Sequence, residues 1–156
     1  MGVTEKKNPN AKESLPLVDL YIARYGNYDG VTFEFAGAEV PSYRGEYVDG
    51  PIRTCGSGEV LPVGGEAWLS IKFTGAKAHT DDGESTIDDM TLPRDVAVLK
   101  DFKVVCDIEG RLELVFGISA RNKYQVTKLS DYLVTERNDR NGIVVEVKHP
   151  ERLWLQ

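Results

Sequence analysis

The chain has 156 residues, enough for one domain of about 100 to 200 residues and too few for two full ones. Its 25 acidic residues outnumber 19 basic ones, giving a net charge of -6 and an isoelectric point near 5.0. It therefore lacks the positive field that neutralises a phosphate backbone, and no nucleic-acid partner is expected. With 41% hydrophobic and 28% charged residues the chain is apolar enough to fold and polar enough to dissolve; no stretch approaches the roughly 20 apolar residues of a bilayer span, so no transmembrane segment is expected.

The run from Met1 to Ser14 is polar and aperiodic and reads as a disordered leader or tether, with a single β domain over residues 15–156. Met1 to Lys7 lacks the apolar core of a signal peptide, and Lys6 stands where a myristoylation signal wants Ser or Thr. From Leu15 to Tyr25 apolar and polar residues alternate at period two, which predicts a half-buried strand. Gly26 to Gly30 are turn formers, and Val31 to Phe35 alternates again with Val31, Phe33 and Phe35 on the core side. Ser42 to Val48 is a third strand with Tyr43, Gly45 and Tyr47 on one face.

Asp49 to Gly65 is rich in Pro and Gly and reads as a long ordered loop. Glu66 to Phe73 resumes alternation, with Ala67, Leu69, Ile71 and Phe73 inward and Trp68 outward, where a loop can cover it. Thr74 to Arg94 is polar and reads as a mobile stretch. Strands follow over Val96 to Ile108, Arg111 to Ile118, Lys123 to Leu129, Tyr132 to Arg137 and Ile143 to Lys148. Glu109-Gly110 and Asn141-Gly142 read as turn pairs between them, and a short helical turn is placed near Ser130 and Asp131. No segment holds helical apolar spacing over 11 residues. Eight or nine short strands with frequent turns predict an all-β antiparallel sandwich or flattened barrel, its core including Leu69, Ile71, Leu114, Phe116, Val126 and Val145.

Cys55 and Cys106 are the only cysteines. They are either bridged, closing a loop of about 50 residues worth roughly 4 kcal/mol of unfolded-state entropy, or two buried thiols in a reducing compartment. The sequence leaves both readings open.

Several strings resemble one family in order and spacing. They are Tyr28-Asp29-Gly30-Val31-Thr32-Phe33-Glu34-Phe35, Ser42 to Asp49, Gly56-Ser57-Gly58-Glu59 and Pro62 to Leu69. Asp107 to Gly110, Leu114 to Ile118, Tyr124 to Leu129 and Val144 to His149 continue the series. Together they resemble the AMIN-like domain of exported proteins and lipoproteins of actinobacteria, over roughly residues 17–149. Two departures stand out: Gly30 occupies a position where the family commonly has Arg, and Thr135 to Asn141 is a longer, more charged link. The resemblance implies a β-sandwich that works outside the cytoplasm, secreted or associated with the cell envelope, as a non-catalytic module whose partner is an envelope component, glycan or protein.

The residues themselves offer little chemistry. His79 and His149 are the only histidines, so an HExxH or three-His zinc site is absent. A Cys2His2 site would need four remote residues to converge without a CxxC knuckle. Neither a metal nor another cofactor is expected. Asp81, Asp82, Glu84, Asp88 and Asp89 have the charge for calcium but not its ligand spacing, and read first as a solvated loop. Catalytic residues are not assigned; carboxylate-based hydrolysis is the least favoured reading. Aromatic rings can stack on sugar faces, so Tyr43, Tyr47, Tyr28 and Trp68 are the candidate ligand-binding residues, with Tyr43 and Tyr47 as an exposed pair. The alternative is a protein-interaction module that offers an exposed sheet edge to a partner strand.

Overall fold

The computed structural model describes residues 2–7, 14–87, 90–132 and 141–150. In chain order they form β1 (Thr4–Lys6), β2 (Leu15–Tyr25), β3 (Tyr28–Phe35), β4 (Ser42–Val48), β5 (Ala67–Thr74), β6 (Ala76–Lys77) and β7 (Leu99–Ile108). β8 (Arg111–Ile118), β9 (Tyr124–Lys128), the single-turn helix α1 (Leu129–Tyr132) and β10 (Asn141–Lys148) complete the set. One sheet has the order β1-β4-β5-β8-β7 and the other β6-β2-β3-β10-β9. Every pairing is antiparallel except the two-residue match of β6 with β2. This is the expected all-β sandwich.

Period-two alternation builds the core. Val31, Phe33, Phe35, Leu69, Ile71, Leu114, Phe116 and Val145 are all buried, as predicted, and Val126 packs half-buried at the margin. Phe33 joins the sheets directly: its ring centroid lies 5.1 Å from that of Phe73 and 6.0 Å from that of Phe116, both edge-to-face, an arrangement that adds to the apolar burial.

The loop between β4 and β5 makes a second, smaller core on the outer face of the first sheet. Ile52, Val105 and Val115 are buried there with Leu61, Val63 and Trp68 packed against them. The Trp68 indole N–H donates to the Val63 carbonyl at 3.0 Å, so this loop covers Trp68 as expected. Cys55 and Cys106 form a disulfide that fastens the loop to β7, and the Cys55 N–H donates to the Val105 carbonyl at 3.0 Å beside it.

Five expectations need correction. Residues 4–6, read as part of a disordered leader, add an edge strand to β4, with Lys6 opposite Tyr43; residues 8–13 lie outside the described residues. Asp29 and Gly30, read as turn formers, lie within β3, because the turn is only Gly26-Asn27 and Tyr25 already pairs with Tyr28. Asn141-Gly142, read as a hairpin turn, opens β10 opposite Phe35 and Glu34. Gly142 serves close approach there: a Cβ would overlap the Phe33 carbonyl. Tyr132, read as the start of a strand, belongs to α1, and the rest of that expected strand lies outside the described residues. Finally, the polar stretch after β5 contributes Ala76, Ala78 and Ile87 to the main core, and the Thr86 hydroxyl donates to the Leu17 carbonyl at 2.6 Å.

Candidate functional site

The four expected aromatic residues occupy three separate places. Tyr43 and Tyr47 sit on β4 opposite the core residues Phe73 and Leu69. That register turns both rings toward the space between the sheets, and both are half-buried against the core rather than exposed as a pair. Trp68 is on the opposite face of the same sheet, under its loop. Tyr28 is on the other sheet, stacked on Tyr25 with centroids 5.6 Å apart. No common aromatic platform results.

Tyr47 is engaged in closing the sandwich. Its hydroxyl donates to the Asn122 carbonyl at 2.6 Å, its ring meets Tyr124 edge-on at 5.7 Å, and the Arg121 guanidinium lies 5.9 Å from its centroid. Burial, reinforced by Tyr124 and opposed by Arg121, pushes its phenol up to about 12. The Tyr124 hydroxyl in turn donates to the Gly45 carbonyl at 2.7 Å. Gly45 leaves room for this contact, since a Cβ there would stand 3.1 Å from Ile71 Cδ1 and 3.5 Å from the Tyr124 ring.

Tyr43 differs from both neighbours. Among the described residues its hydroxyl has no hydrogen-bond partner, although burial raises its pKa. It forms part of the wall of a groove of about 470 Å³ along the open side of the sandwich, where β1 and β9 are the free edges of the two sheets. Lys6, Val40, Val126, Lys128 and Ile143 line the same groove, as do Glu39 and Asp131. The registers Lys6 to Tyr43 to Phe73 and Lys128 to Ile143 place both lysines on the core-facing side of their strands. Three lysines thus line the groove, Lys6 and Lys7 at the β1 edge and Lys128 at the β9 edge, with Tyr43 beside Lys6; Lys7 lies 4.0 Å from the Glu5 carboxylate. A second groove of about 440 Å³ adjoins on the other side of Tyr43 and is lined by Arg44 and Lys72.

Sequence reasoning missed Lys6, which was assigned to the leader, and Lys128. A signal for Lys128 was present: Tyr124, Val126 and Lys128 share one phase of β9, so its cation falls on the side where apolar residues belong.

The remaining polar groups are paired in ways that leave them little reactive freedom. Asp29 is wholly buried and accepts backbone N–H bonds from Ala97, Val98 and Leu99 at 2.7 to 3.1 Å. Its Oδ1 also lies 2.8 Å from His149 Nε2. His79 Nδ1 lies 2.8 Å from the Asp107 carboxylate. With both histidines held by aspartates and both cysteines in the disulfide, the four groups of a Cys2His2 site do not converge. Among the described residues no three His, Cys, Asp or Glu side chains cluster as a metal site. In the acidic stretch, Asp81 bonds Lys77 at 2.8 Å, and that ammonium holds its carboxyl below the usual range; Asp88 and Asp89 lie outside the described residues.

The model of the AMIN-like domain family matches residues 15–149. The chain belongs to this family. The matched span of the AMIN-like domain begins at the first residue of β2 and ends at His149, the partner of Asp29, so it contains every strand of both sheets except the edge strand β1. Members are generally non-enzymatic modules of extracytoplasmic type related to the cell envelope. No curated protein and no solved structure matches the chain. Among the described residues no helix is long and apolar enough to cross a membrane.

Proposed function

We propose that this AMIN-like domain is a non-catalytic binding module that works outside the cytoplasm and holds a glycan of the cell envelope in the groove between β1 and β9. The observation that carries the reading is Tyr43, a half-buried ring with an unused hydroxyl in the wall of a groove of about 470 Å³. A volume in the range of about 300 to 1,000 Å³ suits a small ligand or a short stretch of polymer. The ring offers a face to a sugar and the hydroxyl offers a donor and an acceptor. Val40, Val126 and Ile143 supply apolar wall on either side. The disulfide supports an oxidising, extracytoplasmic setting.

Co-sedimentation with purified wall glycan tests this. The wild type is expected to sediment with the glycan, Tyr43→Ala to lose most of that binding, and Trp68→Phe, on the opposite face of the sheet, to keep it. Absence of wild-type binding overturns the reading.

The competing reading, a partner strand added to an exposed edge, has one observation in its favour. β7 is a ten-residue edge strand on which Val104 and Ile108 are exposed. Two register shifts interrupt it, however, and the Cys55 loop already bonds its Val105 carbonyl. Such irregularities guard an edge against further pairing.

A further inference from the structure

We infer that the groove selects sugars carrying an anionic group, a carboxylate or a phosphate, and that Lys6 and Lys128 are the residues that read it. This rests on the glycan reading above and adds the charge of the ligand to it.

Several cations among the described residues, Lys103, Arg111 and Lys123 included, have no carboxylate within 4.0 Å, so the lack of a counter-ion does not by itself mark a site. Arg44 pairs with Glu5 and Glu46, Lys77 with Asp81, and Arg121 with Asp49. Neither Lys6 nor Lys128 has a carboxylate within 4.0 Å among the described residues, although Glu39 and Asp131 line the same groove. Lys72, in the adjoining groove, is likewise without one.

Lys6 and Lys128 are both exposed, and what distinguishes them is the side of the strand they occupy. Each lies on the core-facing side of the outermost strand of its sheet, where alternation calls for an apolar residue. Their strands face one another across the open side of the sandwich, so the two charges act on one space. In a concave groove that Val40, Val126 and Ile143 wall in part, a charge is less screened than on a flat surface, while Glu39 and Asp131 on the same lining oppose an anion. Tyr43 on β4 lies beside Lys6 and supplies the sugar contact. A neutral glycan would use Tyr43 alone; an anionic one uses all three side chains.

β1 brings Lys6 to the site, and it pairs only with β4. The segment before the family-matched span therefore completes the anion-binding half of the groove, while Lys128 and Tyr43 come from within that span.

Calorimetry with three matched probes tests the inference: tetragalacturonate, the same tetramer with its carboxylates amidated, and a phosphorylated neutral tetrasaccharide. The chain and its Lys6→Gln, Lys128→Gln, double-Gln and Tyr43→Ala variants are compared, each checked for an unchanged melting temperature. The wild type is expected to bind an anionic probe about tenfold or more tightly than the amidated one, an advantage that shrinks as salt rises. The double-Gln variant is expected to bind all three probes at the amidated level. Whichever anionic probe is preferred identifies carboxylate or phosphate as the group recognised. Equal wild-type affinity for charged and amidated probes, with both lost in Tyr43→Ala, overturns the anion inference and leaves the glycan reading standing. Persistence of the anion preference in the double-Gln variant also overturns it. No binding of any probe by the wild type overturns both.

Discussion

Asp29 and His149, 120 positions apart in sequence, meet at 2.8 Å with side chains 0% and 1% exposed, and tie the end of β10 to the start of β3. The same carboxylate gathers the N–H groups of Ala97, Val98 and Leu99 as the chain enters β7. One side chain therefore joins both sheets. A buried carboxylate is tolerated because its oxygens are supplied with donors, and removing it would leave those donors stranded.

Asp29→Ala is expected to cost about 3 to 5 kcal/mol, because it strands three backbone N–H groups and the His149 ring in the interior, each unsatisfied group costing about 1 to 3 kcal/mol. His149→Ala is expected to cost less, about 1 to 3 kcal/mol, because the three backbone donors continue to serve Asp29. Urea denaturation of each variant measures both values. An Asp29→Ala chain within about 1 kcal/mol of wild type would contradict this role.

Gly142→Ala is expected to destabilise by about 1 to 3 kcal/mol, since a Cβ must displace the Phe33 carbonyl or push β10 away from β3. A turn glycine at positive φ would be replaced at similar cost, so the discriminating measurement is amide hydrogen exchange. Weakened protection of Ile143 and Phe33 is expected, because these two residues are opposite one another. Unchanged protection would mean that β3 and β10 have room to spare.

Asn141-Gly142 and Asp29-Gly30 show how far the sequence could be read. Period-two alternation located nearly every strand and the correct faces of Phe33, Leu69, Ile71 and Phe116, because burial on one face imposes that period directly. The two dipeptides mislead for the same reason as each other. Asp-Gly and Asn-Gly favour turns when solvent satisfies them, but here Asp29 is satisfied by a remote histidine and three remote amides, and Gly142 by a neighbouring strand. Those partners lie far away in sequence, so local propensity carries no trace of them. The phase of the strand does: Asp29, Val31, Phe33 and Phe35 share one face, so extending the alternation two residues back from Val31 turns Asp29 toward the core. Of the groove, Tyr43 was legible as an aromatic on β4. Its hydroxyl's lack of a partner and its nearness to Lys6 and Lys128 depend on pairing between β1 and β4 and on the approach of two sheet edges, neither of which has a local signature.

The disulfide sits at the opposite edge of its sheet from the groove, since β7 and β1 are the two ends of the strand order. Cys55→Ser with Cys106→Ser is therefore expected to lower stability by about 2 to 4 kcal/mol through the unfolded chain and the loosened loop, while leaving glycan binding unchanged. Denaturation and co-sedimentation on the same sample separate the two effects. Loss of binding without loss of stability would show that the loop between β4 and β5, and not the β1 edge, carries the site.

A non-catalytic module leaves its ligand intact. Among the described residues Glu39 and Asp131 are the carboxylates that line the groove, so they are the pair to test against glycoside hydrolysis. Prolonged incubation with wall glycan is expected to release no new reducing ends, from the wild type or from Glu39→Gln with Asp131→Asn. Reducing ends produced by the wild type and lost in that double variant would replace binding with hydrolysis.

The Tyr47 phenol, raised from 10.0 to about 12 by burial and by Tyr124, makes an alkaline prediction with a definite sign. A group whose folded-state pKa exceeds its unfolded value holds its proton more tightly in the folded chain. Its contribution is complete below the unfolded value, near pH 10, and is lost as pH climbs through the folded value, near 12. Stability is therefore expected to fall across that window, with the phenolate absorbance of Tyr47 appearing late in an ultraviolet titration. Tyr43, also raised by burial, adds to the same fall, so the variants must be compared singly. Tyr47→Phe loses the bond to the Asn122 carbonyl and is expected to start about 0.5 to 1.5 kcal/mol less stable at neutral pH, but to decline less steeply above pH 10. An identical decline in wild type and Tyr47→Phe would show that this phenol is not the group whose ionisation opens the sandwich.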